Sequence, residues 1–182
     1  MNINEVARLK KREEFINEEQ YIIHVDWDGP YTLDQLTELK TEKVDTGVYQ
    51  IYGNHPIYGA DILLYIGKAI CQTFGVRIAQ EGWDRNSDVK GLKVYVGRLA
   101  GNSTPSDEIW TKEIDLAERL LIYSHSPARN SQCIQNIPNK DLLNVHILNW
   151  GHHRDLLSEV SGARWTNKYD DMSNYEVYGE HT

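Results

Sequence analysis

Five runs along the chain carry apolar, β-branched and aromatic residues at strand spacing: YIIHVDW ending at Trp27, GVYQIYG from Gly47, DILLYIGKA from Asp61, LKVYVGRL from Leu92, and Val145–Trp150. Runs of this kind, bounded by Gly, Pro, Asn and Asp, predict strands. The second and third flank the loop-like NHPIYGAD and read as two paired strands. Gly29 and Pro30 turn the chain, and Thr32 offers an N-cap for a short helix through Leu39. AICQTFGVRIAQ fits a helix, which Gly75 weakens by about 1 kcal/mol relative to alanine. A longer helix is predicted over Ile109–Tyr123: Thr104 or Ser106 caps it, Asp107 and Glu108 suit its positive end, and Pro127 closes it.

From Gly47 onward the order is strand, strand, helix, strand, helix. This predicts a mixed α+β fold, with helices flanking a small, mainly antiparallel central sheet. Length favours one domain, read as an N-terminal extension at 1–46, a core at 47–135, and a C-terminal extension at 136–182 packed on that core. Within the first extension Asn2–Gln20 is charged and mixed in sign, a short surface helix or a partly ordered arm. The C-terminal one adds a shorter segment after Arg154.

Composition narrows the function classes. No apolar run is long enough to span a bilayer, and MNINEVARLKKREEF lacks the apolar segment of a secretory signal, so a soluble, cytoplasmic protein without membrane association is expected. Cys71 and Cys133, far apart and without a CxxC, support neither a disulfide framework nor a thiolate zinc site. The net charge of -8 argues against a protein that merely coats nucleic acid. Its distribution is uneven: residues 47–98 carry 6 basic and 4 acidic groups, whereas both flanks are net acidic. That permits a local phosphate-binding surface. GxxxxGK[ST], GxGxxG, HxH and HExxH spacings are absent, and His152-His153 belong to WGHHRDLL, which reads as a turn with a surface or DNA-facing role.

Several positions carry candidate chemistry on physical grounds. Strand alternation puts Tyr49 with Ile51 on one face, and Tyr65 with Leu63 and Gly67, so paired strands would let the two tyrosines face each other. Each is equally readable as an ordinary strand residue among 11 tyrosines. Glu118 falls inside the apolar stripe Ile114, Ala117, Leu121, where a carboxylate must pair with a cation, whether an arginine or a metal. Arg77 shares a helical face with Ile70 and Phe74. A guanidinium there needs an anion: a phosphate, or Glu81 at i+4. Asn130, after Pro127, suits a turn.

Gly47-Val48-Tyr49 followed by Tyr65-Ile66-Gly67 resembles the paired signature of the GIY-YIG nuclease family, and the rest of that pattern follows in order: Arg77 after the second tripeptide, Glu118 on the later helix, Asn130 behind it. The resemblance covers about residues 47–130, and Lys68 directly after the second tripeptide is most similar to the restriction-endonuclease branch. It implies a GIY-YIG fold and a restriction or defence endonuclease that hydrolyses DNA, double-stranded in the first instance, as a homodimer where both strands are cut. It further implies one divalent cation, Mg2+ or Mn2+, on Glu118. Tyr49 is then general base, with Tyr65, Lys68 and Arg77 at the phosphate and Asn130 in support. A phenol is a poor base unless cations lower its proton affinity, a task expected of Lys68, Arg77 and the metal. RNA remains open as substrate, because phosphate contacts read neither base nor sugar.

One position departs from the family. Four residues after the arginine, where relatives carry a proton-transferring histidine or tyrosine, stands Glu81. It leaves open altered metal binding, a helper from elsewhere such as His55, or reduced activity. If the carboxylate merely repels the phosphate, Glu81→His raises the rate. Glu81 and the acidic body also support the alternative of a catalytically weakened domain that binds nucleic acid or protein.

Overall fold

The computed structural model describes residues 21–83, 91–134 and 140–164; the arm at 2–20 and the chain beyond Arg164 lie outside the described residues. Six strands form one curled sheet: β1 (Tyr21–Tyr31), β2 (Gly47–His55), β3 (Gly59–Ala69), β4 (Lys93–Ala100), β5 (Val145–Gly151) and β6 (Glu159–Ser161). Three α-helices accompany them among the described residues: α1 (Leu33–Leu36), α2 (Phe74–Gln80) and α3 (Asp107–His125). The class is α+β, as expected.

The sheet runs β3-β2-β4-β1-β5-β6. It is mixed, which corrects the expectation of a mainly antiparallel sheet: β1 and β5 pair in parallel from Tyr21↔Val145 to Trp27↔Gly151. The cause is a crossover. The chain leaves β4, passes through α3 and returns beside β1, a route that permits parallel pairing where a hairpin does not. Trp27 seals this pair by donating its indole N–H to Asn149 Oδ1 at 2.8 Å, while the Asn149 amide donates to the Leu157 carbonyl at 2.7 Å. β1 therefore lies inside the sheet, between β4 and β5.

Consecutive strand residues point to opposite faces, and each face has its own core. Val48, Tyr52 and Ile66 pack with Ile114, Ala117 and Leu121 of α3 on one side. Tyr49, Ile51 and Leu64 pack with Phe74 and Ile78 of α2 and with Leu36 on the other. Strict alternation fails beside the candidate residues of β3. Ile51 pairs with Tyr65 but Tyr52 with Leu63, which leaves Leu64 as an extra residue. This bulge puts Tyr65 on the α2 side and Leu63 on the α3 side, so the two do not share a face as the alternation predicted.

Local chemistry explains the helices. Thr32 and Gln35 form a reciprocal capping box on α1. It ends after one turn, at Leu36 instead of Leu39, with the Leu39 carbonyl accepting from the Gly75 amide at 3.1 Å. α2 starts only at Phe74. A Cβ on Gly75 would lie 2.4 Å from the Leu36 carbonyl oxygen, so the residue that costs helix propensity is what lets α1 and α2 touch. Ser106 caps α3, accepting from the Ile109 amide at 3.4 Å.

Candidate active site

The expected residues gather around the β3 edge of the sheet. Tyr49 pairs in register with Gly67, and its ring lies 6.1 Å from that of Tyr65, centroid to centroid. Both rings fold over Gly67: a Cβ there would sit 2.5 Å from the Tyr49 hydroxyl and 2.6 Å from Cε1 of Tyr65. The tyrosines are thus diagonal neighbours instead of directly opposed partners, and a glycine makes their approach feasible.

On the α2 side, the Tyr49 hydroxyl donates to Glu81 Oε1 at 2.7 Å. Arg77 Nη2 lies 3.1 Å from the same oxygen, and the Trp83 indole N–H donates to Oε2 at 2.9 Å. Trp83 also packs beside Tyr65, with ring centroids 5.5 Å apart. Burial first, and then the Glu81 charge, push the proton affinity of Tyr49 well above that of an ordinary phenol, with Arg77 a lesser opposing influence. Of the cations expected to lower it, Arg77 acts in that direction but is outweighed. Tyr65 is raised for the same two reasons.

On the α3 side, Lys68 Nζ lies 2.7 Å from Glu118 Oε2 and 2.5 Å from Asp115 Oδ1. Burial disfavours the Lys68 ammonium, but the two carboxylates outweigh it and hold its proton affinity above the usual value. The Glu118 carboxyl is itself raised, because burial outweighs the ammonium beside it. The cation that the apolar stripe demanded is this lysine, not an arginine. Arg119 extends the network, 2.9 Å from Asp115 and 2.6 Å from Asp141.

Asn130 has a definite task. Its side-chain oxygen accepts from the Ile66 amide at 2.9 Å and its nitrogen donates to the Ile66 carbonyl at 2.9 Å. The Ala128 and Arg129 amides donate to Leu63 and Leu64, so this segment covers the outer edge of β3 and pins the second tripeptide. Leaving a buried polar group unpaired costs about 1–3 kcal/mol. Asn130→Ala is expected to lower Tm by several degrees in a thermal melt, and an unchanged Tm would remove this clamp.

Other candidates fall away. His55 is six positions along β2 from Tyr49, about 20 Å at strand spacing, and its Nδ1 accepts from Ile57 and Tyr58 amides. It is no helper for the tyrosine. His152 and His153 follow β5 in a turn, bound to the Gly29 and Leu156 carbonyls. Two participants were missed. Asp115 stands three residues before Glu118, a helical spacing that could have marked it; Trp83 gave no signal in sequence.

Among the described residues no group of three or more His, Cys, Asp or Glu side chains that could hold a metal is found, and no helix is long and apolar enough to cross a membrane. Comparisons of the chain with protein-family models, with curated proteins and with solved structures return no match.

Proposed function

We propose that this chain is a metal-dependent endonuclease of the GIY-YIG type that hydrolyses phosphodiester bonds in DNA, and that it resembles the restriction branch of that family. One observation carries the reading. Two phenols fold over Gly67 on the α2 side of β3, where Glu81 engages the Arg77 guanidinium, and the next residue along the strand, Lys68, meets the half-buried Glu118 on the α3 side. Phosphodiester hydrolysis needs a proton acceptor for water, cations for the phosphate and charge stabilisation at the leaving oxygen.

Tyr49 takes the proton of the attacking water. Arg77, with 41% of its side chain exposed, can turn to a phosphate, and Lys68 and Tyr65 orient the same group from β3. Glu118 suits a divalent cation: its carboxylate already holds a positive group, Asp115 adds a second oxygen ligand to the same ammonium, and oxygen donors fit Mg2+ or Mn2+. Such an ion, bound there, would supply charge stabilisation at the leaving oxygen. The partner is DNA, double-stranded in the first instance, and a homodimer suits cleavage of both strands. A soluble, cytoplasmic setting fits this substrate.

Incubating the protein with plasmid and with RNA, in Mg2+, Mn2+ or EDTA, tests the reading: metal-dependent nicking or linearisation of plasmid is expected, and cleavage of RNA alone would move the substrate. Salt gives a second check. Binding weakens as salt rises, and removing Lys68 or Arg77 flattens the slope by about one phosphate contact each. An unchanged slope in both variants would put the phosphate contacts elsewhere. A binding module without cleavage is the second reading, favoured by the ion pairs that already engage both cations. Plasmid bound but uncut in every metal would select it.

A further inference from the structure

Glu81, the residue that departs from the family pattern, sits within the site. Only 16% of its side chain is exposed, and three donors converge on its carboxylate: Tyr49 and Arg77 on Oε1, Trp83 on Oε2. A surface ion pair with Arg77 would need neither of the other two. A carboxylate whose only effect was to repel phosphate would have no reason to receive the hydroxyl of the presumed base.

We propose that Glu81 is the terminal proton acceptor of the reaction and works through Tyr49, a role that rests on the nuclease reading. As a water O–H bond breaks, its proton passes to the Tyr49 oxygen and the Tyr49 proton passes to Glu81 Oε1. The electron pair left on the water oxygen forms the new P–O bond, the P–O bond to the leaving oxygen breaks, and that oxygen takes its proton from solvent. Tyr49 ends as the phenol it began as, and Glu81 returns its proton to solvent.

Two observations argue for the relay. Tyr49 is buried and its proton affinity is raised, so it holds no useful fraction of phenolate near neutrality and needs an acceptor for its own proton. That acceptor is in place at 2.7 Å, a distance suited to transfer. The groups facing Glu81 are Arg77 from α2, Tyr49 from β2 and Tyr65 from β3, with the neutral Trp83 indole; Lys68 and Glu118 act on Tyr65 as well. Once Arg77 turns to a phosphate, Oε1 loses its competing cation and keeps Tyr49.

The test compares wild type, Glu81→Gln and Glu81→His on plasmid at saturating Mg2+, recording single-turnover rate, DNA affinity, Tm and the pH profile. Glu81→Gln should cleave about 10²- to 10⁴-fold more slowly, the range of general base catalysis, with DNA affinity equal to or tighter than wild type. Glu81→His should recover at least tenfold of that loss. Its pH profile should differ from that of wild type, because an imidazole then stands where the carboxylate accepted the proton. This variant also carries the test if the glutamine form does not fold. A glutamine variant as fast as wild type or faster means simple repulsion and overturns the relay. So does a loss that extra metal restores, which would make Glu81 a metal ligand, or a pH profile in Glu81→His identical to that of wild type. A wild type that cuts neither DNA nor RNA in any metal overturns the nuclease reading and the relay together.

Discussion

In magnesium, Glu118→Gln is expected to cleave plasmid at background rate, with a thermal melt close to that of wild type. The two effects should separate for a structural reason. Lys68 keeps Asp115 as a partner at 2.5 Å, so the substitution leaves no orphaned buried ammonium, and glutamine fills the same space at the edge of the α3 stripe. The loss falls on chemistry alone. A cation at a leaving oxygen contributes several kcal/mol, which at about 1.4 kcal/mol per tenfold is a drop of roughly 10³ or more. Wild-type cutting in excess EDTA, or a Glu118→Gln variant within tenfold of wild type, would remove both the metal and its ligand from the account.

The second large effect is expected for Tyr49→Phe. The ring is fully buried between α2 and the sheet, so phenylalanine keeps the packing, and Glu81 retains Arg77 and Trp83 as partners. Only the hydroxyl is lost, and with it the path from water to a proton acceptor. Single-turnover cleavage should fall about 10²- to 10⁴-fold with DNA affinity preserved. Tyr65→Phe provides the internal control. Tyr65 has been assigned to orientation and not to proton transfer, so its variant should lose less. A Tyr49→Phe enzyme within tenfold of wild type, or one weaker than Tyr65→Phe in effect, would transfer the base to another residue.

Much of this geometry was readable before any coordinates, because it follows local rules. Period-two runs gave β2, β3 and β4; Thr32 and Ser106 announced their helices; a carboxylate within an apolar stripe announced that Glu118 would be found with a cation. What stayed hidden depends on contacts far apart in sequence. The direction of β5 relative to β1 is not encoded in the alternation of VHILNW, and only the crossover through α3 decides it. The bulge at Leu64 breaks a pattern that strand reading assumes unbroken. The identity of Glu118's partner required knowing that Lys68 and α3 meet on one side of the sheet. Glu81 was singled out in sequence, but its bond to a residue 32 positions earlier was not.

The parallel pairing of β1 with β5 also bears on how the chain reaches its native state. Tyr21 must wait for Val145, whereas β2, β3, α2 and β4 assemble from neighbours in sequence. Closing so long a loop carries an entropic cost that the hairpin of β2 and β3 largely escapes, and non-local pairing slows folding. The half of the sheet that carries the candidate site is therefore able to form early, on a growing chain, before the strand that completes the other half has been synthesised. Until β5 arrives, β1 has β4 on one side and a bare row of amides and carbonyls on the other, with Trp27 beside it and its Asn149 partner absent. That interval is when association between unfinished chains is most hazardous for this protein.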